Sequence, residues 1–271
     1  MKLNYSKKDI FNYDYIKILQ YNDNYFKVIQ FKHPVRKSGY EEDKIIDFEF
    51  EEVEKTNDEN NNSEDILRIS LSRTKRVIHD YALCNEFDYF ITLTFDRKKY
   101  DSSDIKLIKK QVGQWLNNYK KRENPNLKYL LIPELHSDHK HFHFHGLISG
   151  IDDITEFRES KKGVMRYNWA SWQNKFGFSS LESVRDTESV SKYITKYITK
   201  DLITEFNKQR YLVSKGLKKP VTFFELDNYT EIISCDFENE YVRILNINTY
   251  DEMYMYLNLI SNNLGGEPVW Y

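Results

Sequence analysis

Three histidines at alternate positions, His141-Phe142-His143-Phe144-His145, are the residues best suited to chemistry in this chain. Successive side chains of a β-strand point to opposite faces, so a strand over His141–Ser149 is expected to turn His141, His143 and His145 one way and Phe142, Phe144 and Leu147 the other. Two imidazoles separated by one residue can then offer two nitrogens to one cation. Five of the seven histidines fall between positions 136 and 145, a concentration that chance packing does not explain. Glu134 ends the preceding strand and can meet the histidine face across a hairpin, completing a set of two imidazoles and one carboxylate. His141 and His136 compete with it for the third position. Such a set suits Mg2+ or Mn2+ acting on phosphate at least as well as structural zinc, which prefers four ligands including cysteine. An open coordination position is required, because substrate must reach the ion.

A second group lies in Tyr193-Ile-Thr-Lys-Tyr197-Ile-Thr-Lys200. At about 100° per residue on a helix, Tyr197 falls close to Tyr193, Lys196 and Lys200 fall on their other side, and Ile194, Ile198 and Leu202 form a separate apolar stripe. Phenols attack phosphodiesters when a metal polarises the phosphate and nearby cations stabilise the developing charge, and two phenols allow two successive transfers. With 21 tyrosines in the chain, a pair at helical spacing is by itself more often packing. The histidine strand is what raises it above that.

The elements that must position these groups follow from pattern. Tyr15–Gln20 and Tyr25–Phe31 read as a β-hairpin around Asn22-Asp23-Asn24. Glu41 to Glu64 reads as an acidic linker. Ile66–Cys84 is expected to form a basic amphipathic helix, Asp88–Phe95 a half-buried strand, and Ser102 or Ser103 to cap a helix to about Arg122. Leu127–Pro133 and the histidine strand form an antiparallel pair. A short helix over Trp169–Lys175, a strand over Phe178–Val184 and a helix capped by Asp186 or Thr187 and running to about Phe206 complete the middle. Tyr229–Cys235 and Tyr241–Ile247 read as strands and Tyr250–Ile260 as a helix. This order favours an α+β fold with an antiparallel sheet. The expected division is an N-terminal accessory hairpin (1–40), a linker (41–65), a catalytic domain (66–221) and a C-terminal accessory segment (222–271).

The net charge of −2 conceals an uneven distribution. Residues 66–221 carry 29 Lys plus Arg against 18 Asp plus Glu, whereas the flanks carry 11 against 24. A basic middle between acidic flanks suits phosphate binding, with Arg73, Lys75, Arg76 and Lys200 as the cations expected to contact DNA. Hydrophobic residues make up 40% and charged residues 30%, a globular composition with no run of the ~20 apolar residues that a membrane span needs. Cys84 and Cys235 are far apart and suggest neither a disulfide framework nor a thiolate zinc site. The expected setting is a reducing cytoplasm.

Phe90-Ile-Thr-Leu-Thr-Phe95, then Pro133-Glu134 and His143-Phe-His145-Gly-Leu147, then the helix of Tyr193 and Tyr197 occur in the order seen in rolling-circle replication initiators. Over roughly residues 66–221, including Arg210–Pro220, the chain resembles the phage and plasmid Rep proteins of the histidine-hydrophobe-histidine endonuclease superfamily. The resemblance implies a palm-like antiparallel sheet of the RNA-recognition-motif or ferredoxin type flanked by helices, with the histidine strand central and the tyrosine helix across its face. It implies His143 and His145 as metal ligands, Glu134 as the third, Tyr193 or Tyr197 as nucleophile and Lys196 as a helper near the phosphate. The activity implied is metal-dependent nicking and joining of origin DNA, single-stranded or in a hairpin, through a 5′-phosphotyrosine. His141 is an addition to the simplest pattern. No GxxxxGK[ST] motif occurs in the sequence, so a helicase and the replication machinery are expected from a bacterial host. Alternatives are a mobilisation relaxase or transposase of the same chemistry, or a non-catalytic DNA-binding protein whose histidines are structural or hold zinc.

Overall fold

The computed structural model describes residues 11–12, 15–33, 35–36, 62–159, 164–198, 210–226 and 234–264. The chain divides into two compact units, one over Thr56–Lys218 and one drawn from both ends, Met1–Lys55 with Lys219–Tyr271. In the unit drawn from the ends, β1 (Phe11–Asn12) pairs with β4 (Val35–Arg36), and β2 (Ile16–Gln20) forms the expected hairpin with β3 (Phe26–Phe31). The carboxamide of Asn22 accepts from the backbone N–H groups of Asn24 and Tyr25 and holds the turn.

The other unit begins with α1 (Asn62–Cys84), β5 (Tyr89–Leu93) and α2 (Ile105–Arg122). Asp104, rather than Ser102 or Ser103, caps α2: its carboxylate accepts from the N–H groups of Lys106 and Leu107. There follow β6 (Lys128–Leu135), β7 (Phe142–Ser149), β8 (Ile154–Glu159), β9 (Met165–Trp169), α3 (Ala170–Lys175), β10 (Ser179–Ser183), α4 (Thr187–Ile194) and β11 (Leu212–Val213). The sheet order is β11-β6-β7-β5-β10-β9-β8, antiparallel throughout. Its inner strands β6-β7-β5-β10, with α2 and α3 in the connections, form the split βαββαβ arrangement of an α+β palm. The histidine strand β7 lies inside that sheet, between β6 and β5.

Strand alternation gives the sheet two apolar faces. Ile91, Leu93, Leu131, Phe144 and Ile148 pack against Ile108, Val112 and Leu116 of α2 and Trp172 of α3. On the other face Leu130, Ile132 and Leu147 pack under Leu71, Ile78 and Ala82 of α1, with Ile194 and Ile198. Leu147 therefore shares the face of His143 and His145, contrary to the expectation that it joins Phe144, because it stands two residues from His145. The tyrosine helix is also shorter than expected. Asp186 caps α4 by accepting from the N–H groups of Glu188 and Ser189; the chain tightens into a 3-10 turn over Thr195–Tyr197, and Ile198 is extended. A 3-10 turn at a helix end satisfies carbonyls that would otherwise lack partners.

The chain then returns to the first unit with β12 (Val221–Leu226), β13 (Phe237–Glu238), β14 (Val242–Ile247) and α5 (Tyr250–Leu264). The sheet order β12-β2-β3-β14-β13 joins the N-terminal hairpin and the C-terminal segment in one core, where Ile16, Ile18, Phe26 and Val28 meet Met253, Leu257 and Ile260. Most of the strand expected at Tyr229–Cys235, and the acidic linker up to residue 61, lie outside the described residues; residues 62–64 open α1. Among the described residues no helix is long and apolar enough to cross a membrane.

Candidate metal and tyrosine site

Antiparallel register assembles the first half of the site. Glu134 on β6 stands opposite His143 on β7, and Thr92 on β5 stands opposite His145. The Nε2 atoms of His143 and His145 and Oε2 of Glu134 form a triangle with all three edges at 2.8 Å. Among the described residues this trio is the one group of three such side chains able to hold a metal ion. Neighbouring ligands about 2.1 Å from an octahedral ion stand about 3.0 Å apart, and those of a tetrahedral ion about 3.4 Å apart. The observed 2.8 Å edges fit one face of an octahedron, with the remaining positions open to water and substrate. The donor set and the spacing thus both suit a divalent ion.

The protonation of the two imidazoles suits that role. Burial holds His145 down at about 3, with His143 as the second cause. Burial also lowers His143, against the opposing pull of the Glu134 carboxylate. Both rings are therefore neutral near pH 7 and can present lone pairs. Close passage of β7 against β6 depends on Gly146, where an added Cβ would stand 2.2 Å from the carbonyl oxygen of Leu130.

The second half of the site comes from α4 and its terminal turn, on the same face of the sheet. The ring of Tyr197 stacks on His145, centroids 3.9 Å apart at 17°. Its hydroxyl donates to that of Tyr193 over 2.9 Å. Phe90 on β5 lies beneath both phenols, with centroids 5.4 Å from Tyr193 and 6.0 Å from Tyr197. Tyr193 is exposed and Tyr197 half-buried. Burial first, then the hydroxyl of Tyr193 and the charge of Glu134, hold the Tyr197 phenol well above its usual range. The Lys196 ammonium lies 5.1 Å from the Tyr193 ring centroid, within cation–π range.

The other sequence candidates have other surroundings. His141 does not join the trio: its Nδ1 pairs with Asp138 at 2.8 Å, and Asp138 also receives Arg97 at 2.7 Å. This pairing draws His141 into the β6–β7 turn. His136 packs edge-on to His143, ring centroids 5.6 Å apart. Arg73 is exposed on α1, Lys75 and Arg76 are half-buried there, and Lys200 lies outside the described residues. Phe90 and Thr92 are site residues that sequence reasoning did not single out. Alternation along Phe90-Ile-Thr signals that they share a face, but only strand pairing shows which face.

No curated protein and no solved structure matches the chain. Residues 88–202, the span holding all of these site groups, match the model of a family described as Replication-associated protein ORF2, which agrees with the resemblance to rolling-circle initiators and places the chain among replication-associated proteins.

Proposed function

We propose that this protein is a metal-dependent, site-specific endonuclease and strand transferase for single-stranded DNA, and that it starts, and closes, rolling-circle replication. The observation that carries this reading is the stacking of Tyr197 on His145, which puts a pair of phenols beside a carboxylate-imidazole trio suited to a divalent ion. Glu134, His143 and His145 would hold Mg2+ or Mn2+, which when bound polarises a phosphate oxygen and lowers the barrier to attack on phosphorus.

The chain's own groups account for the rest. A phenolic oxygen of Tyr193 or Tyr197 forms a bond to phosphorus while the bond to the 3′ oxygen breaks. The phenolic proton is delivered to that leaving oxygen, so the products are a 5′-phosphotyrosine and a free 3′-hydroxyl. The reverse step joins strands, and a second phenol beside the first permits a second transfer. Lys196 adds positive charge next to the attacking group, and Arg73, Lys75, Arg76 and Lys200 supply cations for the DNA backbone. Origin DNA, single-stranded or extruded as a hairpin, is the substrate of this reading. Strand separation would fall to a host helicase and the replication machinery in a bacterial cytoplasm.

Incubation of the full chain with Mn2+ and a single-stranded origin oligonucleotide tests this directly. A covalent protein–DNA adduct that survives denaturation is expected, with none from the Tyr193→Phe/Tyr197→Phe double variant. An undiminished adduct from the double variant would refute the mechanism.

A further inference from the structure

The motif Phe90-Ile-Thr-Leu-Thr has no part in the chemistry described so far, yet its third residue touches a proposed ligand. Thr92 Oγ1 lies 3.0 Å from His145 Nδ1, opposite it in the β5–β7 register. We propose that Thr92 is the positioning residue that sets the tautomer and ring orientation of His145, and so aims its Nε2 lone pair at the ion.

A neutral imidazole has one N–H and one lone pair, and the hydrogen bond made by one nitrogen fixes what the other can offer. If Nδ1 carries the proton and donates it to Thr92 Oγ1, Nε2 is left to coordinate. If the threonine hydroxyl donates instead, Nε2 carries the proton and ligation is blocked. Nε2 of His145 is the atom facing Glu134 and His143, each 2.8 Å away, so only the first arrangement serves the trio. The ring is further held in plane by Tyr197, stacked on it at 3.9 Å, which leaves the Nδ1 contact to set its rotation. The other ligand is not held this way: Nδ1 of His143 is buried with no partner in the structure. Of the two imidazoles, His145 therefore has its lone pair directed by a neighbouring side chain. Groups of this kind around metal-bound histidines typically change ion affinity by 10- to 100-fold when removed.

The inference rests on the trio being a metal site, as in the proposed function, but its test needs no DNA. Mn2+ affinity of the full chain would be measured for wild type, Thr92→Val and Thr92→Ser, with long-range 1H–15N spectra of the metal-free protein reporting the His145 tautomer. Val keeps the β-branched shape and removes the hydroxyl; Ser restores it. The expected result is binding weakened by roughly 10- to 100-fold in Thr92→Val, near-wild-type binding in Thr92→Ser, and a wild-type His145 protonated at Nδ1. Equal affinity in Thr92→Val, equal loss in both variants, or a wild-type His145 protonated at Nε2 would each overturn it. The wild-type spectrum remains decisive if Thr92→Val fails to fold. Thr92-dependent Mn2+ binding in a protein that forms no DNA adduct supports this assignment and removes only the nickase reading.

Discussion

Tyr197 lies flat on His145, ring centroids 3.9 Å apart, so a phenol and a metal-competent imidazole form one packed unit. Phe90 extends that unit: its ring is 6.0 Å from His145 and from Tyr197 and 5.4 Å from Tyr193. The orientation of the nucleophile pair is thus tied to the strands that carry the ligands rather than to α4 alone.

Replacing Phe90 by Ala should uncouple the two halves of the site. Removal of this half-buried ring is expected to cost about 3 kcal/mol of stability and to slow adduct formation at least tenfold, while Mn2+ affinity falls by less than threefold. Denaturant titration, adduct kinetics and Mn2+ binding report the three effects separately. Parallel losses in adduct rate and ion affinity would show that the ring supports the ligands instead.

Glu134→Gln and His141→Gln make opposite predictions for the third ligand. The first removes the carboxylate that stands 2.8 Å from both imidazoles, and Mn2+ binding should weaken by 100-fold or more. The second removes a ring already paired with Asp138, and affinity should stay within threefold. Titration calorimetry with each variant decides between them, and a larger loss in His141→Gln would reassign the ligand.

Acid should destabilise the metal-free protein through the trio. Folding lowers His145 to about 3, whereas an unfolded chain takes up that proton near pH ~6.5. As pH falls below ~6.5 the unfolded state gains protons first, and stability drops by up to about 1.4 kcal/mol per pH unit from this group. Above ~6.5 the effect vanishes. Urea midpoints at pH 7.5, 6.5 and 5.5 in a chelator should fall in that order for wild type and more shallowly for His145→Gln; identical slopes would contradict this account.

Gly146 is required by the closeness of β6 and β7. A methyl group there meets the Leu130 carbonyl oxygen and the Leu131 backbone, so Gly146→Ala must push the two strands apart. A loss of about 3 kcal/mol or more is expected, together with weakened Mn2+ binding, because Glu134 and His143 face each other across this same pair. Wild-type stability and affinity in the variant would show that the strands can yield.

Much of this was legible in the sequence, and the reason is period. Alternation of His141, His143 and His145 places imidazoles on one strand face without any knowledge of the fold, and the spacing of Tyr193 and Tyr197 places two phenols one helical turn apart. Local pattern also gave the α+β class, the β2–β3 hairpin and the Asp186 cap. What only the tertiary structure decided are relationships between elements. Whether Glu134, His136 or His141 completes the trio depends on register and on Asp138, which engages His141 from within the turn. The proximity of Thr92 and Phe90 to the site comes from β5 pairing with β7 across some fifty residues of chain. The union of the two chain ends in one sheet is of the same kind. A strand's period is a property of consecutive residues, whereas pairing partners are chosen by the burial of whole faces, and that choice is made only when the sheet assembles.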